Sequence, residues 1–247
     1  MLKGKTAIIT GSNRGIGRAI LEEFARQGCD VLACVRTPTT EFEGFLQKLA
    51  RECGVKAELV RFDLTDSEAM KSAIRGLFTN KREIDILVNC AGTFHVGLFQ
   101  MTPISKIREV FEVNLFAQME LTQLILKIMA RKKSGCIINI ASILGIDDYA
   151  GQCAYGSSKS ALLRWTTTLA AETGNVGIRV NAIAPGLTDT DMSLLMDDKT
   201  REKAIGHSAL KRIAKPENVA KVVAFLASDA AEFINGSVIR TDGGLVL

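Results

Sequence analysis

The sequence predicts an α/β domain of the doubly wound kind, with a seven-stranded parallel sheet flanked by helices on both faces. Three observations predict it. Short apolar, β-branched runs alternate with longer amphipathic stretches from one end of the chain to the other, the pattern of consecutive βαβ units. The residues with chemical character, Gly11, Arg36, Asp63, Asn89, Ser142 and Pro185, fall at or just after the carboxyl end of such a run, where sheets of this class bind ligands. No repeat, linker or low-complexity tract interrupts the 247 residues, so one domain over 1–247 is expected.

The first run, Thr6 to Thr10, leads into Gly11-Ser12-Asn13-Arg14-Gly15-Ile16-Gly17 and then a helical pattern at Ala19, Ile20 and Phe24. Glycines between a strand and a helix allow a tight turn and let backbone N–H groups approach a pyrophosphate at the helix N-terminus. A dinucleotide is the expected ligand. The second run, Val31 to Val35, ends at Arg36-Thr37, with no acidic residue there to accept from ribose hydroxyls. Arg36, with Arg14 in the glycine loop, suits a ribose 2′-phosphate, so NADP(H) is expected over NAD(H). The alternative is that both arginines are solvated surface charges.

A helix over about 39–52 precedes the run Ala57 to Phe62, which ends at Asp63-Leu64. Asp63 suits an adenine amino group or, equally, the cap of a helix beginning near Asp66 or Ser67. That helix runs to about Asn80, and the next strand, Ile84 to Val88, ends in Asn89-Cys90-Ala91-Gly92. Small residues there let a cofactor cross the strand end, and Asn89 can tie down the loop. A long helix over about 103–131 carries Asn114 in mid-course, where asparagine is a poor helix former. Either a core hydrogen bond or a backbone distortion in a proton path explains it.

The run Cys136 to Ala141 delivers Ser142, and a helical pattern then opens with Tyr155-Gly156-Ser157-Ser158-Lys159. Residues four apart share a helix face, so phenol and ammonium are neighbours, and a nearby positive charge favours the phenolate. A Tyr–Lys pair is also ordinary surface chemistry, and Tyr149, with Cys153 four residues on, offers no such partner. Tyr155, Lys159, Ser142 and Asn114 together can polarise a carbonyl and hand it a proton. A strand over about 178–183 leads to Ala184-Pro185-Gly186, and the polar stretch 187–207 is expected to be a lid. A helix over about 216–227 and a strand near 237–241 finish the chain.

Composition excludes several classes. With 31 basic and 27 acidic residues interspersed, the charge is too mild for nucleic acid or a membrane surface. No apolar run approaches a membrane span, and since Met1 to Lys5 lead straight into the first run, no signal peptide is expected. The six cysteines show no metal or redox spacing, so a reduced, cytoplasmic setting without a metal is expected.

Taken together, Thr10-Gly11-x-x-x-Gly15-x-Gly17, Asn89-x-Ala91-Gly92, Asn114, Ser142, Tyr155-x-x-x-Lys159 and Pro185-Gly186 resemble the short-chain dehydrogenase/reductase family over essentially the whole length. The resemblance implies a Rossmann-like fold. Within the family the chain looks most like the 3-oxoacyl-[acyl-carrier-protein] reductases of fatty-acid synthesis, on Asn13 to Gly17, Val180 to Gly186, Thr190-Asp191-Met192, Arg212 with Pro216-Glu217, and Asp242-Gly243-Gly244. It implies NADPH-dependent reduction to the (3R)-hydroxyacyl thioester, with Tyr155 as acid, Lys159 on the nicotinamide ribose, Ser142 on the substrate carbonyl and Asn114 in the proton relay. Gln152 matches a substrate-side position and Thr188 a cofactor-side one. A homotetramer is also implied, and an acyl carrier protein as partner.

Three positions depart from that pattern: Cys90 replaces an asparagine, Ala214 a glycine, and Val176 a basic residue. Arg131, Lys132 and Lys133 offer a docking patch for an acidic carrier, or simply a solvated helix end. A dehydrogenase for a sugar, polyol, steroid or small ketone is the alternative enzyme. An NADPH-sensing regulator without turnover is the alternative outside catalysis, disfavoured by the complete Ser–Tyr–Lys–Asn set.

Overall fold

The structure is a computed structural model and describes residues 1–79, 82–191, 193 and 198–245. Seven strands form a single sheet: β1 (Thr6–Thr10), β2 (Asp30–Val35), β3 (Ala57–Arg61), β4 (Ile86–Asn89), β5 (Gly135–Ile140), β6 (Ile178–Pro185) and β7 (Val238–Thr241). Their order is β3-β2-β1-β4-β5-β6-β7 and every neighbouring pair is parallel. Order therefore reverses between β1 and β4, which opens a crevice at their carboxyl ends.

The helices are α1 (Gly15–Arg26), α2 (Thr40–Cys53), α3 (Ser67–Thr79), α4 (Ile104–Phe111), α5 (Ala117–Lys132), α6 (Cys153–Thr173), α7 (Asp198–His207) and α8 (Pro216–Ala227). Successive strand residues point to opposite faces, so both faces of β1 are apolar. Ile9 joins a core with Ile20 and Phe24 of α1 and Val219 and Val223 of α8. Ile8 joins the opposite core with Met70 and Ile74 of α3, Leu121 and Ile125 of α5, and Leu169 of α6. The expected fold is the observed one.

Some boundaries differ from expectation. The long helix is not uniform: a π-helical turn at Glu112–Phe116 separates α4 from α5. Asp63 does not cap α3; that cap is Asp66, whose carboxylate accepts from Ala69 N–H at 3.0 Å. Of the expected lid, Met192 and residues 194–197 lie outside the described residues, as does Asn80 at the expected end of α3. Among the described residues no helix is long and apolar enough to cross a membrane.

Candidate active site

The crevice is built on close backbone approach. Gly11 (φ +66°) and Gly15 (φ +53°) take left-handed conformations open to glycine. A Cβ on Gly17 would lie 2.2 Å from the Gly11 carbonyl oxygen, and one on Gly11 would lie 2.8 Å from Ala91 Cα. The glycine loop is thus folded onto itself and onto the end of β4. Thr10 fastens that junction: its hydroxyl accepts from Cys90 N–H at 2.9 Å and Ala91 N–H at 3.0 Å. Gln118 adds a bond from Nε2 to the Ala91 carbonyl at 2.7 Å. Neither Thr10 nor Gln118 stood out in the sequence as a site residue, although Gln118 lies one helical turn beyond Asn114.

The first turn of α1 holds no acidic side chain and Arg14 makes no capping hydrogen bond. Ser12 beside it is buried, and its Oγ has no hydrogen-bond partner among the described residues. Free N–H groups and an unpartnered hydroxyl at a helix N-terminus, behind glycines that admit no side chain, fit a dinucleotide pyrophosphate. Asn13 is exposed on the rim, and Ile16 packs into the core below.

Over β2 and β3 the rim is open and charged. Arg36, largely in solvent, lies 3.7 Å from the half-buried Asp63, and Thr37 is exposed beside Arg36. Asp63 also accepts from the Thr65 backbone and hydroxyl, both at 2.9 Å, which with Arg36 hold its carboxyl below the usual range. Leu64 packs into the lower core. Arg14 reaches Asp191 at 3.3 Å, also exposed. Both arginines thus stand at the rim, each beside a carboxylate.

On the far side, Pro185 ends β6, and a Cβ on Gly186 would lie 2.7 Å from Asp242 Cβ. Thr188 is buried, donates to the Gly186 carbonyl at 3.1 Å and bridges to Ala214.

Between these rims lies a buried floor. A Cβ on Gly92 would lie 3.2 Å from Asn114 Oδ1 and 3.6 Å from Lys159 Nζ, so the end of β4, the π turn and α6 converge there. Asn114 is fully buried: Oδ1 accepts from Thr93 N–H at 2.8 Å, and Nδ2 donates to the Thr93 carbonyl and to Ser158 Oγ, each at 3.0 Å. The core hydrogen bond expected of Asn114 is therefore present, and the backbone around it is distorted into a π turn. Asn89 donates to Thr122 of α5 at 3.1 Å and to Asn139 of β5 at 2.8 Å, so it fastens the end of β4 to its neighbours, while the loop beyond is held by Thr10 and Gln118.

Ser142 opens a short 3-10 turn, Ile143–Gly145, and accepts from Leu144 N–H at 3.1 Å. Two glycines let this turn lie against α6. A Cβ on Gly145 would meet the Lys159 carbonyl carbon at 2.7 Å, and one on Gly156 would meet the Leu144 carbonyl oxygen at 2.6 Å. A glycine inside a helix costs about 1 kcal/mol, so Gly156 next to Tyr155 was the one sequence signal of this contact. Gln152 precedes α6, buried, with Oε1 unpartnered among the described residues.

Lys159 Nζ donates to the Ile140 carbonyl at 2.8 Å and lies 5.8 Å from the Tyr155 ring centroid. The two share the floor as the helix spacing required. The expected direction of the phenol's shift is corrected. Burial pushes Tyr155 up to about 12, against a hydrogen bond with Ser142 that pulls it down. Burial in turn takes the Lys159 ammonium down to about 8. Desolvation disfavours both charged forms and outweighs what opposes it, the Ser142 hydrogen bond on the phenol and the Cys90 thiol beside the ammonium.

The chain matches the family model described as enoyl-(acyl carrier protein) reductase over residues 11–246. It belongs to the short-chain dehydrogenase/reductase family. It is 36% identical over 244 residues to the 3-oxoacyl-[acyl-carrier-protein] reductase FabG of Aquifex aeolicus, covering 99% of this chain and 98% of that one. Among solved structures it is similar to a putative NAD(P)-dependent gluconate 5-dehydrogenase from Beutenbergia cavernae with bound NADP (TM-score 0.92, 36% identity, 98% and 97% covered). It is also similar to L-sorbose reductase from Gluconobacter frateurii complexed with NADPH and L-sorbose (TM-score 0.91, 31% identity, 99% and 97% covered).

Proposed function

We propose that this NADP(H)-dependent oxidoreductase, which acts on a CH–OH/C=O pair, reduces a 3-oxoacyl thioester to the (3R)-3-hydroxyacyl thioester in fatty-acid synthesis. The observation that carries the reading is full-length likeness to the Aquifex reductase, joined to a floor that gathers Ser142, Tyr155, Lys159 and Asn114. Bound in the crevice, NADPH supplies the hydride. Gly11, Ser12, Gly15 and Gly17 would hold its pyrophosphate, Arg36, Thr37 and Arg14 its 2′-phosphate, and Asp63 and Leu64 its adenine. Asn89, Ala91 and Gly92 pass beneath it, and Pro185, Gly186 and Thr188 close its far side.

Ser142 donates to the substrate carbonyl oxygen while Tyr155 protonates the alkoxide that forms there. A phenol held neutral by burial keeps its proton until an oxyanion stands next to it. Lys159 stabilises the phenolate left behind and donates to the nicotinamide ribose. Asn114 holds the Thr93 backbone and Ser158, the neighbour of Lys159. Gln152 offers its unpartnered amide oxygen to the substrate.

The carrier protein is the proposed physiological partner. Lys132 is committed to an ion pair with Asp85, which leaves Arg131 and Lys133 exposed for an acidic surface. A cytoplasmic homotetramer is the proposed assembly. The competing reading, a sugar or polyol dehydrogenase, is favoured by the Beutenbergia and Gluconobacter structures. Initial rates of NADPH and NADH oxidation with acetoacetyl-CoA, ketoses and gluconate-type ketones separate the two. Preferred reduction of acetoacetyl-CoA with NADPH supports the proposal; turnover confined to sugars overturns it.

A further inference from the structure

The segment between β4 and α4 contains an aromatic residue that the reduction mechanism leaves unused. Phe94 packs edge-on against Tyr155, with ring centroids 4.8 Å apart and planes at 78°. Lys159 Nζ lies 5.8 Å from the same Tyr155 ring centroid, so the phenol has both an ammonium and a phenyl ring close by. Phe94 is fixed from both sides. The residue before it, Thr93, is clamped by Asn114 through its N–H and its carbonyl. Three residues after it, Gly97 donates to the Gly151 carbonyl at 2.9 Å, joining this segment to the turn that precedes Gln152. A Cβ on Gly151 would sit 3.5 Å from Val96 Cγ1, so the two segments pass close to one another here. Phe94 is half-buried although its segment has no regular secondary structure.

We propose that Phe94 is a specificity-determining residue: a fixed phenyl wall beside the proton donor that selects carbonyls flanked by methylenes over carbonyls flanked by hydroxyls. The proposal rests on the placement of the reacting carbonyl at Tyr155 and deepens that reading. A 3-oxoacyl chain carries hydrocarbon carbons without hydroxyls on both sides of C3, a CH₂ at C2 and a CH₂ or, in acetoacetyl, a CH₃ at C4. A ketose carries hydroxyls on both sides of its carbonyl. A hydroxyl set against a phenyl ring gives up water and gains no partner, whereas a methylene there is buried favourably. The edge-to-face packing also keeps water from the phenol and sustains the burial that holds its proton.

The experiment compares kcat/KM for acetoacetyl-CoA, ethyl acetoacetate and L-sorbose in the wild type, Phe94→Leu and Phe94→Asn, with NADPH affinity followed by nucleotide fluorescence. The wild type is expected to prefer both acetoacetyl compounds. Phe94→Leu keeps that preference within about 3-fold, and Phe94→Asn lowers it about 10–100-fold, with NADPH affinity unchanged. Phe94→Gln, which retains more bulk, reads the same ratio should the asparagine variant fail to fold. An equal loss for every carbonyl, or a wild-type preference for the ketose, overturns the proposal. Reduction of the ester but not of the thioester would sink the thioester reading and leave Phe94 as the selector.

Discussion

The two ends of the crevice are built on opposite principles. Over β2 and β3 the charged groups that would meet the cofactor's adenosine are exposed or only half-buried, with Arg36 and Asp63 3.7 Å apart and Arg14 and Asp191 3.3 Å apart. Over β4 and β5 the polar groups are buried and bonded to backbone, as Lys159 is to Ile140 and Asn114 to Thr93. Exposed ion pairs are screened and contribute little each, so the rim can choose between cofactors without unbalancing the fold. A buried polar group has no water to fall back on, so each floor residue matters to the chemistry. With the roles proposed above, the contrast predicts that selectivity for the nucleotide and power over the carbonyl are separable by substitution.

The largest effect should come from the floor. Tyr155→Phe removes the proposed proton donor and is expected to lower kcat about 10²–10⁴-fold while NADPH affinity holds; steady-state rates with a fluorescence titration check it. Next is the junction between the two ends. Gly17→Ala places a methyl group where the Gly11 carbonyl oxygen is 2.2 Å away, so the loop must move. A loss of about 10²-fold in NADPH affinity, with the fold intact by circular dichroism, is expected. At the rim, Arg36→Ala should raise the KM for NADPH about 10-fold and leave that for NADH unchanged. A comparable loss with NADH would break the contrast.

The smallest effect concerns stability. Lys159 has its folded pKa lowered to about 8 by burial, so below pH 8 the folded state carries a charge that burial disfavours. Stability from this group rises as pH climbs from about 8 toward its unfolded value near 10.5. Lys159→Met, although inactive, should therefore melt on the order of 5 °C higher at pH 7, with the gap closing toward pH 10. Thermal melts of both proteins across that range decide it.

Much of this was legible in the sequence because the informative patterns are local. Alternation of apolar runs gives the sheet, and the spacing of Tyr155 and Lys159 gives their shared helix face. The contacts that complete the site are not local. Thr10 clamps a loop some eighty residues away, and Gly145 and Gly156 let two elements meet; neither leaves a periodic trace. Asn114 was visible as a misfit within a helix, but a backbone distortion was only one of two open readings, and its form as a π turn left no mark in the sequence. The direction of the Tyr155 shift was missed because charge proximity can be read from spacing, whereas burial depends on what packs around both groups.

The central claim is that the floor works through a lysine whose ammonium is only weakly held in its buried site. The pH dependence of kcat/KM for NADPH at saturating acetoacetyl-CoA reports ionisations of the enzyme before NADPH binds. Activity should fall as pH rises past about 8, where Lys159 loses its proton, and that alkaline limb should vanish from the residual activity of Lys159→Arg, whose charge persists. A wild-type profile flat to pH 10, or an identical limb in the arginine variant, would contradict it.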